Sequence, residues 1–154
     1  MKESYKNALK EVYTRLKNKE INWAIFGSTN LLLQGINVEP NDIDILTDNK
    51  GAYEIEKLLI EYSTKKVKYS SDGKVTSHFG ALGISGVKAE IVGDYTSNKD
   101  MQLILDVKDK IMVNFEDIQI PCLPLEKELI AYKKENKNVN RLKKVKLIEN
   151  CLNK

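Results

Sequence analysis

Two aspartates separated by one aliphatic residue are the side chains of this sequence best placed to do chemistry. Asp42 and Asp44 alternate with Ile43 and Ile45, which is the period-two pattern of a β-strand. On a strand, both carboxylates lie on one face and both isoleucines on the other. Neighbouring like charges repel, and aspartate is disfavoured in strands. The pattern therefore predicts a bound cation, unless the segment is an edge strand that presents its acids to water.

A Gly-Ser pair precedes the aspartates at the end of an apolar segment. Residues 21–26 predict a buried strand, and Gly27-Ser28 begin a helix that ends near Gly35. Glycine allows the backbone to be approached closely, and free N–H groups at a helix start attract anions. Gly27 and Ser28 are therefore candidate phosphate-binding residues, although an ordinary strand-to-helix turn with a hydroxyl cap has the same sequence.

A third carboxylate, Glu90, lies in the second of two predicted strands, residues 75–84 and 87–92. On that strand Glu90 shares a face with Lys88 and Val92. A single glutamate in a strand usually faces solvent. One that is flanked by apolar residues, on a hairpin beside an Asp-x-Asp strand, is a better candidate for a third metal ligand.

The remaining segments are expected to form the helices and strands that position these residues. Apolar residues at three- and four-residue spacing predict helices at about 3–18, 49–63, 125–135 and 141–152. Alternating patterns predict further strands near 67–69, 111–113 and 118–120. In the last helix, the residues predicted to face inward are Leu142, Val145, Ile148 and Leu152. We expect a single domain, 1–154, with a core at about 20–121 and C-terminal helices at about 124–152.

Composition excludes several other classes of protein. Hydrophobic residues make up 42% and charged residues 31%, which argues against disorder, and the net charge of +3 is too small to indicate nucleic acid. Cys122 and Cys151 stand far apart with no neighbouring His or Cys, so neither a zinc pattern nor a disulfide framework is present. No segment approaches the ~20 apolar residues of a membrane span. A cytoplasmic protein that does not enter a membrane is expected.

The order of apolar strand, Gly-Ser, helix and Asp-x-Asp resembles the nucleotidyltransferase superfamily of the DNA polymerase β type. Residues 25–28, Ile-Phe-Gly-Ser, and residues 42–45, Asp-Ile-Asp-Ile, match its signature, and Glu90 takes the place of the third acid of the family. The resemblance covers most of residues 21–148. It implies an α+β fold with a mixed β-sheet, helices packed mainly on one face, and a C-terminal helical segment.

Within the superfamily, the chain is most similar to minimal bacterial and archaeal proteins and to AbiE-type toxin nucleotidyltransferases. Three of their motifs have counterparts here, namely Lys88-x-Glu90, Glu128 with Lys133, and Arg141-x-Lys143. Lys144 and Lys146 stand where the last of these motifs has two acids. This departure leaves an alternative open, a catalytically degenerate nucleotide-binding or regulatory module of the same fold.

The resemblance implies transfer of a nucleoside monophosphate from an NTP, such as ATP, to a hydroxyl acceptor with release of pyrophosphate. Asp42, Asp44 and Glu90 would be the catalytic residues and would hold two Mg²⁺ ions, with Mn²⁺ as an alternative. The residues implied in nucleotide and phosphate binding are Gly27, Ser28, Lys88, Lys133, Arg141 and Lys143. The acceptor (a small molecule, a tRNA or a protein), the preferred nucleotide and the oligomeric state stay open.

Overall fold

The strands of the protein follow the predicted order along the chain. The computed structural model describes residues 1–134 and 139–154. Its strands are β1 (Trp23–Phe26), β2 (Ile43–Thr47), β3 (Ser63–Ser71), β4 (Val75–Ile84), β5 (Val87–Ser97), β6 (Ile111–Phe115) and β7 (Ile118–Cys122). β5 continues past its predicted end at Val92, through an irregularity near Asp94, a residue with φ of 52°. The second half of β5 therefore belongs to the sheet, not to a loop.

The strands form one mixed sheet of seven strands in the order β3-β4-β5-β2-β1-β7-β6. β2 lies inside this sheet, antiparallel to β1 and parallel to β5. The Asp-x-Asp segment is therefore not an edge strand, and the alternative of two acids simply presented to water at an edge is excluded.

The described helices are α1 (Glu3–Leu16), α2 (Gly27–Leu33), α3 (Asn49–Leu58), α4 (Leu125–Lys134) and α5 (Val139–Leu152). The helix predicted to reach residue 63 ends at Leu58 and is followed by a 3₁₀ turn at Ile60–Tyr62. Residue 135, where the helix predicted at about 125–135 ends, and the next three residues lie outside the described residues. Among the described helices, none combines the length and apolar character that crossing a membrane requires.

The two faces of β2 have different surroundings, as the alternating sequence predicts. Ile43 and Ile45 are fully buried, in a core that the inward faces of α1 and α3 complete. Burying side chains of this size stabilises the fold by about 1.5–3 kcal/mol each. The opposite face carries Leu46, which packs in a second cluster with Ala131 of α4. The aspartates lie on this second face.

The C-terminal helices pack beside the start of α2. Ile148 of α5 and Leu125 of α4 are buried together with Leu31 of α2. The expectation that Leu142 faces inward is wrong, because this side chain is 55% exposed. Leu142 and Ile148 are six residues apart, which at about 100° per residue is about 120° short of two full turns. The two side chains therefore point about 120° apart around the helix axis. The predicted α+β fold with a mixed sheet and C-terminal helices is confirmed.

Candidate active site

Strands β2 and β5 bring the three predicted carboxylates together. Their parallel register pairs Asp44 with Glu90. Each of Asp42, Asp44 and Glu90 offers one carboxylate oxygen, and these oxygens lie within 4.8 Å of one another. All three side chains are partly buried. Carboxylate oxygens converging in this way form the donor set that suits Mg²⁺ or Mn²⁺.

Burial and the repulsion between neighbouring carboxylates raise the pKa values of two groups in the cluster. The pKa of Asp44 rises to about 7, because burial disfavours the charged form and because Glu90 and Asp42 add negative charge nearby. The pKa of Glu90 is also raised, by burial and by a hydrogen bond with Asp42, against the lowering effect of Lys88. A divalent cation would remove this repulsion and return both carboxyl groups to the ionised form.

Gly27 is needed at the end of β1 because Asp44 approaches it closely. Its φ is +74°, and a Cβ atom there would lie 2.5 Å from Oδ2 of Asp44. A side chain at this position would be strained and would collide with a carboxylate of the cluster. The sequence predicted a close approach at this glycine, and the group that approaches is the carboxylate of β2.

The two groups expected to bind phosphate at the start of α2 have partners inside the protein. The backbone N–H of Gly27 donates to Oε2 of Glu128 at 2.7 Å. The hydroxyl oxygen of Ser28 accepts from the backbone N–H of Asn41 at 3.0 Å. The N–H of Gly27 is therefore not free for a phosphate, whereas the Ser28 hydroxyl keeps a proton to donate.

Glu128, which shares a sequence motif with Lys133, is a functional candidate outside the predicted site residues. It is only 2% exposed. Besides the Gly27 N–H, its Oε2 accepts from Nδ2 of Asn30 at 2.7 Å, and Asn30 also donates to the carbonyl of Leu123 at 2.9 Å. This carboxylate therefore connects α4 to the corner between β1 and α2.

Burial also dominates the titration of Glu128. It raises the pKa of this carboxyl to about 7, against the lowering effect of the hydrogen bonds from Asn30 and Gly27. Asp44 raises this pKa and Lys144 lowers it, so Glu128 shares an electrostatic environment with the carboxylate cluster. In the sequence, only the motif that combines Glu128 with Lys133 points to this residue, since its hydrogen-bond partners Gly27 and Asn30 are about a hundred residues away along the chain.

The basic residues implied by the resemblance are found in different places. Lys88 lies at the cluster, with Nζ 3.2 Å from Oε1 of Glu90. Lys133 pairs with Glu149 of α5 at 3.3 Å, which makes it a link between two helices. Lys143 is exposed. The guanidinium of Arg141 lies 5.2 Å from the centre of the Tyr132 ring.

Lys144 of α5 interacts electrostatically with carboxylates of the site. Its pKa is lowered by burial and by Arg141, and is raised by Asp44 and Glu128. Its ammonium group also lies 5.7 Å from the centre of the Tyr132 ring. In the sequence this lysine was noted only as a departure from an acidic motif. In the structure it supplies positive charge to a site with an excess of carboxylates.

Comparison with known proteins finds similarity to nucleotidyltransferases, both in sequence and in structure. The family model described as aminoglycoside-2″-adenylyltransferase matches residues 8–147. No curated protein sequence matches the chain significantly. Among solved structures, TM1012 from Thermotoga maritima, a candidate nucleotidyltransferase, is 41% identical, with a TM-score of 0.82 over 99% of this chain and 95% of that chain.

Two antibiotic-modifying enzymes share the fold at low identity. ANT(2″)-Ia, in a complex with adenylyl-2″-tobramycin, is 10% identical, with a TM-score of 0.65 over 94% of this chain and 87% of that chain. The lincosamide antibiotic adenylyltransferase LnuA, with lincomycin bound, is 15% identical, with a TM-score of 0.62 over 97% of each chain. At these identities the similarity shows a common fold.

Proposed function

Since the chain belongs to the aminoglycoside-2″-adenylyltransferase family, a family of nucleotidyltransferases, we propose that it transfers a nucleoside monophosphate from an NTP to a hydroxyl acceptor in a Mg²⁺-dependent reaction. The observation that carries this proposal is the convergence of Asp42, Asp44 and Glu90 within 4.8 Å. The adenylyltransferase names of the relatives make ATP the first nucleotide to test.

The carboxylates of the cluster are the proposed metal ligands. Asp42, Asp44 and Glu90 would hold two Mg²⁺ ions, which would neutralise charge on the phosphates and lower the pKa of the acceptor hydroxyl. The acceptor oxygen forms its bond to the α-phosphorus while the bond from that phosphorus to pyrophosphate breaks, and the hydroxyl proton goes to solvent. Positioning and charge stabilisation account for the rate in such a transfer.

Lys88 and Lys144 are the proposed phosphate-neutralising residues. They approach the cluster from β5 and α5, and each interacts electrostatically with Asp44. Ser28 is a proposed hydrogen-bond donor to a phosphate oxygen, and Gly27 makes room for the Asp44 carboxylate. Lys133 is not assigned this role because its ammonium group pairs with Glu149, which is not a carboxylate of the cluster, whereas Lys88 pairs with Glu90 of the cluster itself.

The test is pyrophosphate release from each NTP, with Mg²⁺ or Mn²⁺, in the presence of total cell metabolites, RNA or protein as acceptors. Release should stop on chelation of the metal. In Asp42→Asn it should fall by roughly 10²–10³-fold, the size of effect expected on removing one electrostatic group at a reacting centre. The matched control is Asp117→Asn, which alters an exposed aspartate in the β6–β7 turn.

Two results would oppose this proposal. Equal pyrophosphate release by Asp42→Asn and by the unaltered protein would show that the carboxylate cluster takes no part in the reaction. Metal-dependent NTP binding without release, with every acceptor fraction, would instead favour the degenerate nucleotide-binding module.

Lys144→Gln is expected to reduce transfer by about tenfold to a hundredfold, since a charge-assisted hydrogen bond contributes about 1.5–3 kcal/mol. The loss should appear mainly as weaker NTP binding, because the proposed partner of this lysine is a phosphate. Lys143→Gln, one residue away on the exposed side of α5, is the control and should leave transfer unchanged. Equal effects of the two substitutions would contradict the assignment of Lys144.

A further inference from the structure

A large cavity lies on the same side of the sheet as the carboxylate cluster. It has a volume of about 1040 Å³, at the upper end of the roughly 300–1,000 Å³ typical of small-molecule sites. The β3–β4 turn, the end of β5 and the loop after β5 line it on one side, and Lys134 and Arg141 line it on the other. None of the roles proposed above uses this cavity.

Two chains of contacts connect the cavity to the proposed active site. Tyr95, which lines the cavity, packs on Phe26 with ring centres 6.2 Å apart, and Phe26 is the β1 partner of Asp44. On the other side, Arg141 lines the cavity one helical turn before Lys144, and the charges of these two residues interact. The described lining of the cavity does not include the three carboxylates themselves, and one residue on each side, Phe26 or Lys144, connects it to them.

The wall formed by the loop after β5 is held in place by backbone hydrogen bonds. Ser97 donates to the carbonyl of Gln102 at 2.9 Å, and Ile104 donates to the carbonyl of Tyr95 at 2.8 Å. Asn98 donates to the carbonyl of Lys74 at 2.9 Å, which ties the loop to the β3–β4 turn. The cavity therefore has an ordered wall, which is what a specific binding site requires.

Positive charge dominates the described lining of the cavity. Its basic residues are Lys74, Lys99, Lys134 and Arg141, and its acidic residues are Asp72 and Asp100. Within residues 1–134 and 139–154, the salt bridges do not involve any of the three lysines of this set. Their charge is therefore available to a ligand.

Both acidic side chains accept hydrogen bonds from backbone N–H groups of their own turns. Oδ1 of Asp72 accepts from the N–H groups of Lys74 and Val75 at 2.9 and 2.8 Å. Oδ1 of Asp100 accepts from the N–H of Gln102 at 3.0 Å. The two negative charges of these carboxylates balance only part of the positive charge of the four basic residues.

We propose that this cavity binds the acceptor, and that the acceptor is a small hydroxyl compound carrying a phosphate or carboxylate group. The inference rests on the proposed nucleotidyl transfer, and it names the substrate class. A hydroxyl of the bound anion attacks the α-phosphorus, with pyrophosphate as the leaving group. An aminoglycoside carries several ammonium groups, which the lysines of the cavity would repel, so the acceptor differs from the tobramycin of ANT(2″)-Ia.

Calorimetric titration with four probes of different charge tests this assignment: glucose 6-phosphate, glucuronate, glucose and tobramycin. The two anions should bind more tightly than glucose, and tobramycin most weakly. In the double variant Lys74→Glu with Lys99→Glu, affinity for the anions should fall by about tenfold or more, because two attractive charges become repulsive. Comparison of the two anions shows whether phosphate or carboxylate is preferred. Lys19→Glu is the control, since Lys19 is exposed and does not line the cavity.

Mn²⁺ binding, measured on the same proteins, separates failure of this inference from failure of the proposed function. The double variant should bind Mn²⁺ as the unaltered protein does, because neither lysine touches the carboxylate cluster. Tighter binding of tobramycin than of glucose 6-phosphate would overturn the inference. It would also be overturned if the double variant bound the anions as tightly as the unaltered protein, or if the unaltered protein did not bind them. If the unaltered protein does not bind Mn²⁺, that result opposes the proposed reaction and not the assignment of the cavity.

Discussion

Asp44→Asn is expected to abolish nucleotidyl transfer and, at neutral pH, to stabilise the metal-free protein. The loss of activity follows from removing a proposed metal ligand and should reach roughly 10²–10³-fold or more. The gain in stability follows from the raised pKa of this carboxyl, about 7, which reflects burial and the neighbouring charges of Glu90 and Asp42. An amide at this position carries no charge to be repelled.

The pH dependence of this effect has a definite sign. The folded protein holds the Asp44 proton up to a pKa of about 7, whereas the unfolded chain releases it near 3.8, the ordinary pKa of an aspartate. The folded state therefore binds more protons than the unfolded state between these values, and the free energy of unfolding falls as pH rises through that window. The advantage of Asp44→Asn should be absent near pH 4, grow up to pH 7, and then level off.

Thermal unfolding in a chelator at pH values from 4 to 8 measures this advantage. Addition of Mg²⁺ or Mn²⁺ should raise the melting temperature of the unaltered protein in a concentration-dependent way, because the ion binds the folded state, and should do so far less for Asp44→Asn. Asp117→Asn serves again as the control. A variant that is less stable than the unaltered protein at pH 7, or equally stabilised by metal, would contradict the prediction.

The carboxylate cluster was predictable from sequence because most of the signal is local. Alternation of Asp42 and Asp44 with isoleucines determines which side chains share a face, whatever strand lies beside them. The pairing of Glu90 with Asp44 is a long-range feature of the register between β2 and β5. The sequence indicated only that Glu90, on a hairpin beside the Asp-x-Asp strand, could be a third ligand. The resemblance to nucleotidyltransferases gave Glu90 the place of the third acid, and the family match and the fold confirm that resemblance.

The basic side of the site was harder to predict, because helical rotation decides which lysine faces the carboxylates. Arg141, Lys143 and Lys144 are neighbours in sequence, but successive residues are separated by 100° around the helix. Lys143 was implied by the motif Arg141-x-Lys143 of the resemblance, which carries no information about rotation around the helix axis, and its role in phosphate binding stays a prediction. With Ile148 as the buried residue of α5, Lys144 and Val145 face the body of the protein.

Glu128→Ala is expected to have the largest effect on stability among the substitutions considered. It removes an acceptor shared by the Gly27 N–H and the Asn30 side chain, both buried. Leaving buried donors without an acceptor costs about 1–3 kcal/mol each. The free energy of unfolding in urea should therefore fall by about 2–5 kcal/mol. Glu126→Ala, on the exposed side of the same helix, is the control and should change it by less than about 0.5 kcal/mol.

Glu128→Gln distinguishes the hydrogen-bonding role of this residue from the role of its charge. The glutamine side chain keeps one oxygen that can accept from Gly27 and Asn30, so it should recover most of the stability that alanine loses. Glu128 acts on the site through the corner that holds Gly27 against Asp44, which makes it a positioning residue. Mn²⁺ affinity should accordingly weaken in folded Glu128→Ala and return in Glu128→Gln. If the glutamine variant recovers stability without recovering Mn²⁺ affinity, the charge of Glu128, and not its hydrogen bonds, supports the metal site.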